Sequence, residues 1–179
     1  VNFNIEETVI NSDMRMVYED ATKVLENQEG DLKEKYGDFL EELNHAKDLC
    51  EILNAERSRR GSIDFNLDET EIILDEKGKP VEIRPLERGI SNRIIEEFML
   101  VSNETIADYI LWQEIPFMYR VHEDPDIEKM LDFNEFIHNF GYHLKGIREG
   151  IHPKVLQNLL EDIKGTREER IISSIMLRS

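Results

Sequence analysis

The chain has 179 residues, enough for one ordinary domain, and 40% of them are hydrophobic, which supports a core and excludes a wholly disordered chain. Its 22 Lys and Arg against 39 Asp and Glu give a net charge of −17. This excludes a free-standing domain that grips nucleic acid by general electrostatic attraction.

The elements follow from periodicity. Val1, Phe3 and Ile5 alternate and lead to Val9 and Ile10, as in a half-buried strand. Residues 16–26 read as a helix. Over 31–59, Leu32, Tyr36, Phe39, Leu40, Leu43, Ala46, Leu49, Cys50 and Leu53 recur at three and four positions, which predicts one long amphipathic helix ended by Gly61. Residues 62–65 and 71–74 read as short strands, Lys77-Gly78-Lys79-Pro80 as a turn, and 81–84 as a third strand. After Pro85, residues 91–112 form a second long helical pattern with Ile94, Ile95, Phe98, Met99, Ser102, Ile106 and Ile110 inward.

Further on, 117–122 reads as a strand punctuated by Pro116 and Pro125, and 126–140 as a helix with acidic residues in its first turn. Pro153 sets the start of a helix over 152–164, and a last helix begins near Arg167. Residues 171–177 are too apolar for a solvent-exposed tail, which points to a chain that is part of a larger domain. The expected fold class is α+β (mixed α/β), dominated by helices with short strands. No repeat, low-complexity tract or Pro/Ser-rich linker marks an internal boundary.

The lone cysteine, Cys50, leaves no internal disulfide and no cysteine-built zinc site. No apolar run approaches the ~20 residues of a membrane span, and the first residues carry no signal-peptide pattern. A soluble, intracellular chain without a membrane partner is therefore expected.

Charge is uneven. Residues 1–56, 57–95 and 96–179 carry −10, 0 and −7, the middle stretch balancing eight basic side chains against eight acidic ones. Arg57, Arg59, Arg60, Arg84, Arg88 and Arg93 lie there, so a polyanion would approach the middle stretch. His122, Glu123, Asp124 and Asp126 come nearest to a metal-binding cluster, but their place before a helix is explained by capping and solvation. Neither a glycine-rich phosphate loop nor a nucleophile elbow is present.

Several strings in one order carry more. Arg15-Met16-Val17-Tyr18, Arg60-Gly61-Ser62-Ile63-Asp64-Phe65, Ile94-Ile95-Glu96-Glu97-Phe98-Met99 with Asn103, Tyr119-Arg120-Val121-His122 and Met176-Leu177-Arg178-Ser179 resemble the RNB catalytic domain of the ribonuclease R family. The resemblance covers essentially all of the chain. It implies a processive 3′ to 5′ exoribonuclease that hydrolyses single-stranded RNA to nucleoside 5′-monophosphates with magnesium. It also implies that residues 1–179 are a partial RNB catalytic domain. The family's metal-holding aspartates precede the stretch that resembles this chain, and its catalytic arginine and glutamate segment follows it. No catalytic residue and no metal are then expected in this piece, and the isolated chain is expected to be inactive.

The resemblance implies RNA-binding roles for Phe65, Tyr18 and Glu96, and strand alternation adds Arg120 and His122 as RNA-binding candidates. Phe65 matches the aromatic that stacks on bases near the 3′ end, Tyr18 a tyrosine on the terminal nucleotides, and Glu96 a glutamate that helps sense the ribose. Packing or ion pairing would equally account for each of these residue types. Arg120 and His122 would share one side of the expected strand, contacting a phosphate or pairing with an acidic flank. Asn92 departs from the histidine of many relatives, and no catalytic role is carried to it. The competing reading is a non-enzymatic acidic helical module that docks a protein partner.

Overall fold

The computed structural model describes residues 3–26, 31–64, 70–85 and 88–179. They fall into two compact units, Val1–Ala55 with Glu87–Arg120, and Glu56–Leu86 with Val121–Ser179. Of the three passages between units, the first lies within a helix and the third inside the Tyr119–His122 string, and neither coincides with a compositional linker.

The first unit contains α1 (Tyr18–Leu25), α2 (Asp31–Tyr36), most of α3 (Leu40–Arg59) and α4 (Ile90–Trp112). The single helix expected over 31–59 is interrupted by a 3₁₀ turn at Gly37–Phe39. Gly37 and Asp38 are poor helix formers, and the break coincides with burial of Tyr36, whose hydroxyl donates to Asp20 Oδ2 at 2.8 Å. Leu25, Cys50 and Ile94 form the buried centre, flanked by Leu43, Ala46, Ile90 and Phe98. Of the expected inner face of α4, Ile94 is buried, whereas Ile95, Met99 and Ile106 are exposed.

The second unit contains the end of α3, the hairpin of β1 (Thr70–Leu74) and β2 (Pro80–Pro85), α5 (Ile127–His138), α6 (Pro153–Ile163) and α7 (Glu169–Met176). The hairpin is antiparallel with Ile72 opposite Ile83, and Asp75 Oδ1 organises its turn by accepting from the amides of Lys77 and Lys79. Met130, Phe133, Ile137, Leu156, Leu159, Ile163, Ile172 and Met176 build the core. That core largely accounts for the apolar run 171–177, since Ile172 and Met176 are buried while Ile171 and Leu177 are exposed.

The fold class is mixed α and β, dominated by helices, as expected. Three expected strands differ. Residues 3–10 are exposed throughout and pair with nothing among the described residues, because alternation stabilises a strand only against a neighbouring strand. Residues 62–64 make no ladder, and Phe65 lies outside the described residues. The segment 117–122 is irregular and exposed, so no pleat places Arg120 and His122 on a shared side.

Candidate functional site

In the first unit, the residues of interest gather where α1 meets the start of α4. The Ser91 hydroxyl donates to the Tyr18 carbonyl at 2.8 Å and lies 2.6 Å from Thr22 Oγ1. Since Ser91 has one hydroxyl proton and spends it on Tyr18, the Thr22 hydroxyl donates to Ser91 Oγ. The Ser91 amide in turn donates to Thr22 Oγ1 at 3.4 Å, which satisfies one of the otherwise orphaned donors of the first turn of α4. Gly89 makes this approach possible: a Cβ there would lie 2.4 Å from Thr22 Oγ1.

Asn92 has a structural account. Its Oδ1 accepts from the Gly89 amide at 3.2 Å, a reach back that closes the helix start. One turn further, the Glu96 carboxylate accepts from the Arg88 guanidinium while both side chains stay partly exposed. Glu97 is buried instead, accepting from Asn54 Nδ2 at 3.0 Å. The Glu-Glu pair therefore divides into one carboxylate facing solvent and one inside. Tyr18 is half exposed at the first position of α1, anchored through its own carbonyl.

In the second unit, the Arg-Gly-Ser-Ile-Asp string leaves α3 by a tight turn. Gly61 is buried with φ +94°, a left-handed conformation, and a Cβ there would come within 3.1 Å of the Lys154 amide nitrogen. Arg57 donates to Ser62 Oγ, and Ile63 packs against the core. Gln157, on α6, donates from Nε2 to the carbonyls of Ser58 at 3.2 Å and Ser62 at 3.1 Å. Sequence reasoning missed Gln157, because a glutamine on an amphipathic helix looks like any solvated position.

Arg120 and His122 are exposed. Arg120 closes the first unit and His122 belongs to the second. Three arginines of the neutral stretch form ion pairs: Arg59 with Glu56, Arg84 with Glu71 and Arg88 with Glu96. Asp126 caps α5 by accepting from the amides of Glu128 and Lys129, so its carboxylate, among those after His122, serves the helix start. Among the described residues, no three His, Cys, Asp or Glu side chains converge as a metal-holding group. Among the described residues, no helix is long and apolar enough to cross a membrane.

Comparison with known proteins decides the family. The RNB domain model matches residues 1–179. This chain belongs to the RNB domain family. Ribonuclease R 1 of Lactococcus lactis is 39% identical over 179 residues, covering 100% of this chain and 22% of the relative. Ribonuclease R of Thermotoga maritima is 39% identical over 180 residues, covering 100% and 25%. Among solved structures, Mycoplasma genitalium RNase R in complex with ribose-methylated single-stranded RNA matches with a TM-score of 0.80 and 26% identity, over 90% of this chain and 25% of that one. The RNB chain thus spans about a quarter of the length of the relatives it matches.

Proposed function

We propose that this chain is an interior part of the catalytic domain of a processive, cytoplasmic 3′ to 5′ exoribonuclease that releases nucleoside 5′-monophosphates from single-stranded RNA. The observation that carries this reading is the RNB match over residues 1–179, joined by ribonuclease R relatives aligned over the full chain. The RNA complex of the Mycoplasma genitalium relative supports the substrate class. In this reading the magnesium-holding aspartates precede this segment and the catalytic arginine and glutamate follow it. The segment itself positions RNA.

Each proposed role has a physical basis. Phe65 stacks on a base near the 3′ end, a sequence-tolerant contact of ~1–3 kcal/mol that suits an enzyme accepting any RNA. Glu96, partly exposed and oriented by Arg88, accepts a hydrogen bond from a 2′-hydroxyl, which DNA lacks. Tyr18 contacts the terminal nucleotides from the start of α1, and exposed Arg120 and His122 contact phosphate oxygens.

The test uses the full-length protein and matched RNA, DNA and chimeric oligonucleotides. Phe65→Ala is expected to slow degradation of the shortest substrates most, since stacking matters most when few other contacts remain. Glu96→Ala is expected to relax discrimination between ribose and deoxyribose at the 3′ end. If both variants melt like the parent and match it on every substrate, these residues are packing and surface residues.

A further inference from the structure

The chain leaves α4 in a fixed direction. The Ile115 amide donates to the Ile110 carbonyl at 3.4 Å and the Glu114 amide to the Leu111 carbonyl at 3.1 Å, the paired bonds that close a helix around a left-handed residue. That residue is Glu114, at φ +55°, where glycine is usual. The exit is a defined turn and not a frayed end, although a side chain in that conformation costs ~1–2 kcal/mol. Beyond it, residues 116–120 run Pro-Phe-Met-Tyr-Arg and, among the described residues, make no backbone hydrogen bond. The Phe117 and Tyr119 rings meet edge to face with centroids 5.3 Å apart, so these alternate side chains share a side, as in extended chain. Met118 between them is 92% exposed and Phe117 51%. The same unit carries a second uncovered surface, since Ile95, Met99, Ile106 and Tyr109 fall on one face of α4 by helical spacing and are all exposed. An apolar helix face and an extended, strand-forming segment with free peptide groups are what a helix-on-sheet layer presents before its sheet is complete.

We propose that residues 117–120 pair, as a β-strand, with a strand of the same polypeptide that lies outside residues 1–179. This rests on the reading above that the chain is an interior part of a longer domain. The chain spans about a quarter of the length of its ribonuclease R relatives, so a parent of that size has ample polypeptide to supply the strand. The occupant is a strand and not a helix, because only a strand takes up a row of main-chain N–H and C=O groups. A second copy is a poor occupant, because two chains of net charge −17 repel each other.

The experiment is amide hydrogen exchange in the full-length protein, read residue by residue along 117–120, which requires no substitution. Pairing is expected to protect at least every second amide, roughly hundredfold or more over an unstructured peptide, at any protein concentration. Exchange at the unstructured rate along the whole segment would overturn the proposal. So would protection that grows with concentration alongside a dimer in sedimentation, which would assign the segment to a second copy. A photo-crosslinking side chain introduced at Met118 identifies the occupant. The expected adduct is with a peptide of the same molecule outside residues 1–179, and an adduct confined within them would overturn the pairing. The interior-part reading fails separately: it falls if the full-length protein releases no nucleotide from RNA, whereas free exchange of 117–120 in an active enzyme removes only the strand pairing.

Discussion

The hydroxyls of Thr22 and Ser91 lie 2.6 Å apart although 69 positions separate them in sequence. At that contact Thr22 of α1 also accepts from the Ser91 amide, a first-turn donor of α4 for which the Gly89 N-cap has no side chain, and Tyr18 and Glu96 become attached to one junction. The seam depends on the absence of a side chain at residue 89.

Gly89→Ala is expected to destabilise the chain by ~1–3 kcal/mol through overpacking, since its Cβ would meet Thr22 Oγ1 at 2.4 Å and Cγ2 at 2.8 Å. Backbone strain is not the cause, because Gly89 has φ −75°. Thr22→Ala removes both atoms, so the double variant is expected to be more stable than the sum of the singles. Urea unfolding measures this, and strict additivity would remove the steric explanation.

Gly61→Ala and Gly78→Ala both place a Cβ on a left-handed residue, at φ +94° and +78°. That conformation alone costs ~1–2 kcal/mol. At Gly61 the Cβ also crowds the Lys154 nitrogen, while at Gly78 it meets open space, so Gly61→Ala is expected to lower the melting temperature further. Equal losses would mean that the approach of α6 to the turn adds nothing.

The Arg59 guanidinium, hydrogen-bonded to Glu56, holds that carboxyl below the ordinary glutamate range. Because the folded value is depressed, the pair's small contribution is fully present above the unfolded glutamate value and is lost as pH falls through the folded one. Both groups are exposed, so salt should weaken it. An NMR titration of Glu56 is expected to show a midpoint that rises in Arg59→Gln. An unchanged midpoint would dissociate the two groups.

The isolated chain is expected to release no nucleotide from RNA with magnesium present, since the carboxylates proposed to hold the metal lie outside it. It is also expected to bind single-stranded RNA weakly at physiological salt, because a net charge of −17 opposes the counterion-release term. Anisotropy and product chromatography measure both. Activity that survives repurification, or tight binding, would contradict the proposed division of labour.

Periodicity alone located α1, α4, α5, α6, α7 and the hairpin, because each has an amphipathic stripe or turn chemistry encoded within a few neighbouring residues. The ordered strings were enough to place the chain in its family. Local pattern failed at residues 3–10 and 117–122, where alternation promised strands, because a strand exists only if another strand takes its backbone hydrogen bonds. It failed in the same way along α4, whose apolar face is buried at Ile94 but exposed at Met99. The parts of the site that only folding revealed are the contacts of Thr22 with Ser91, Arg88 with Glu96 and Gln157 with Ser58 and Ser62. Hydroxyls, guanidinium groups and amides look alike in any sequence; what they do is decided by the one partner that tertiary packing brings within about 3 Å.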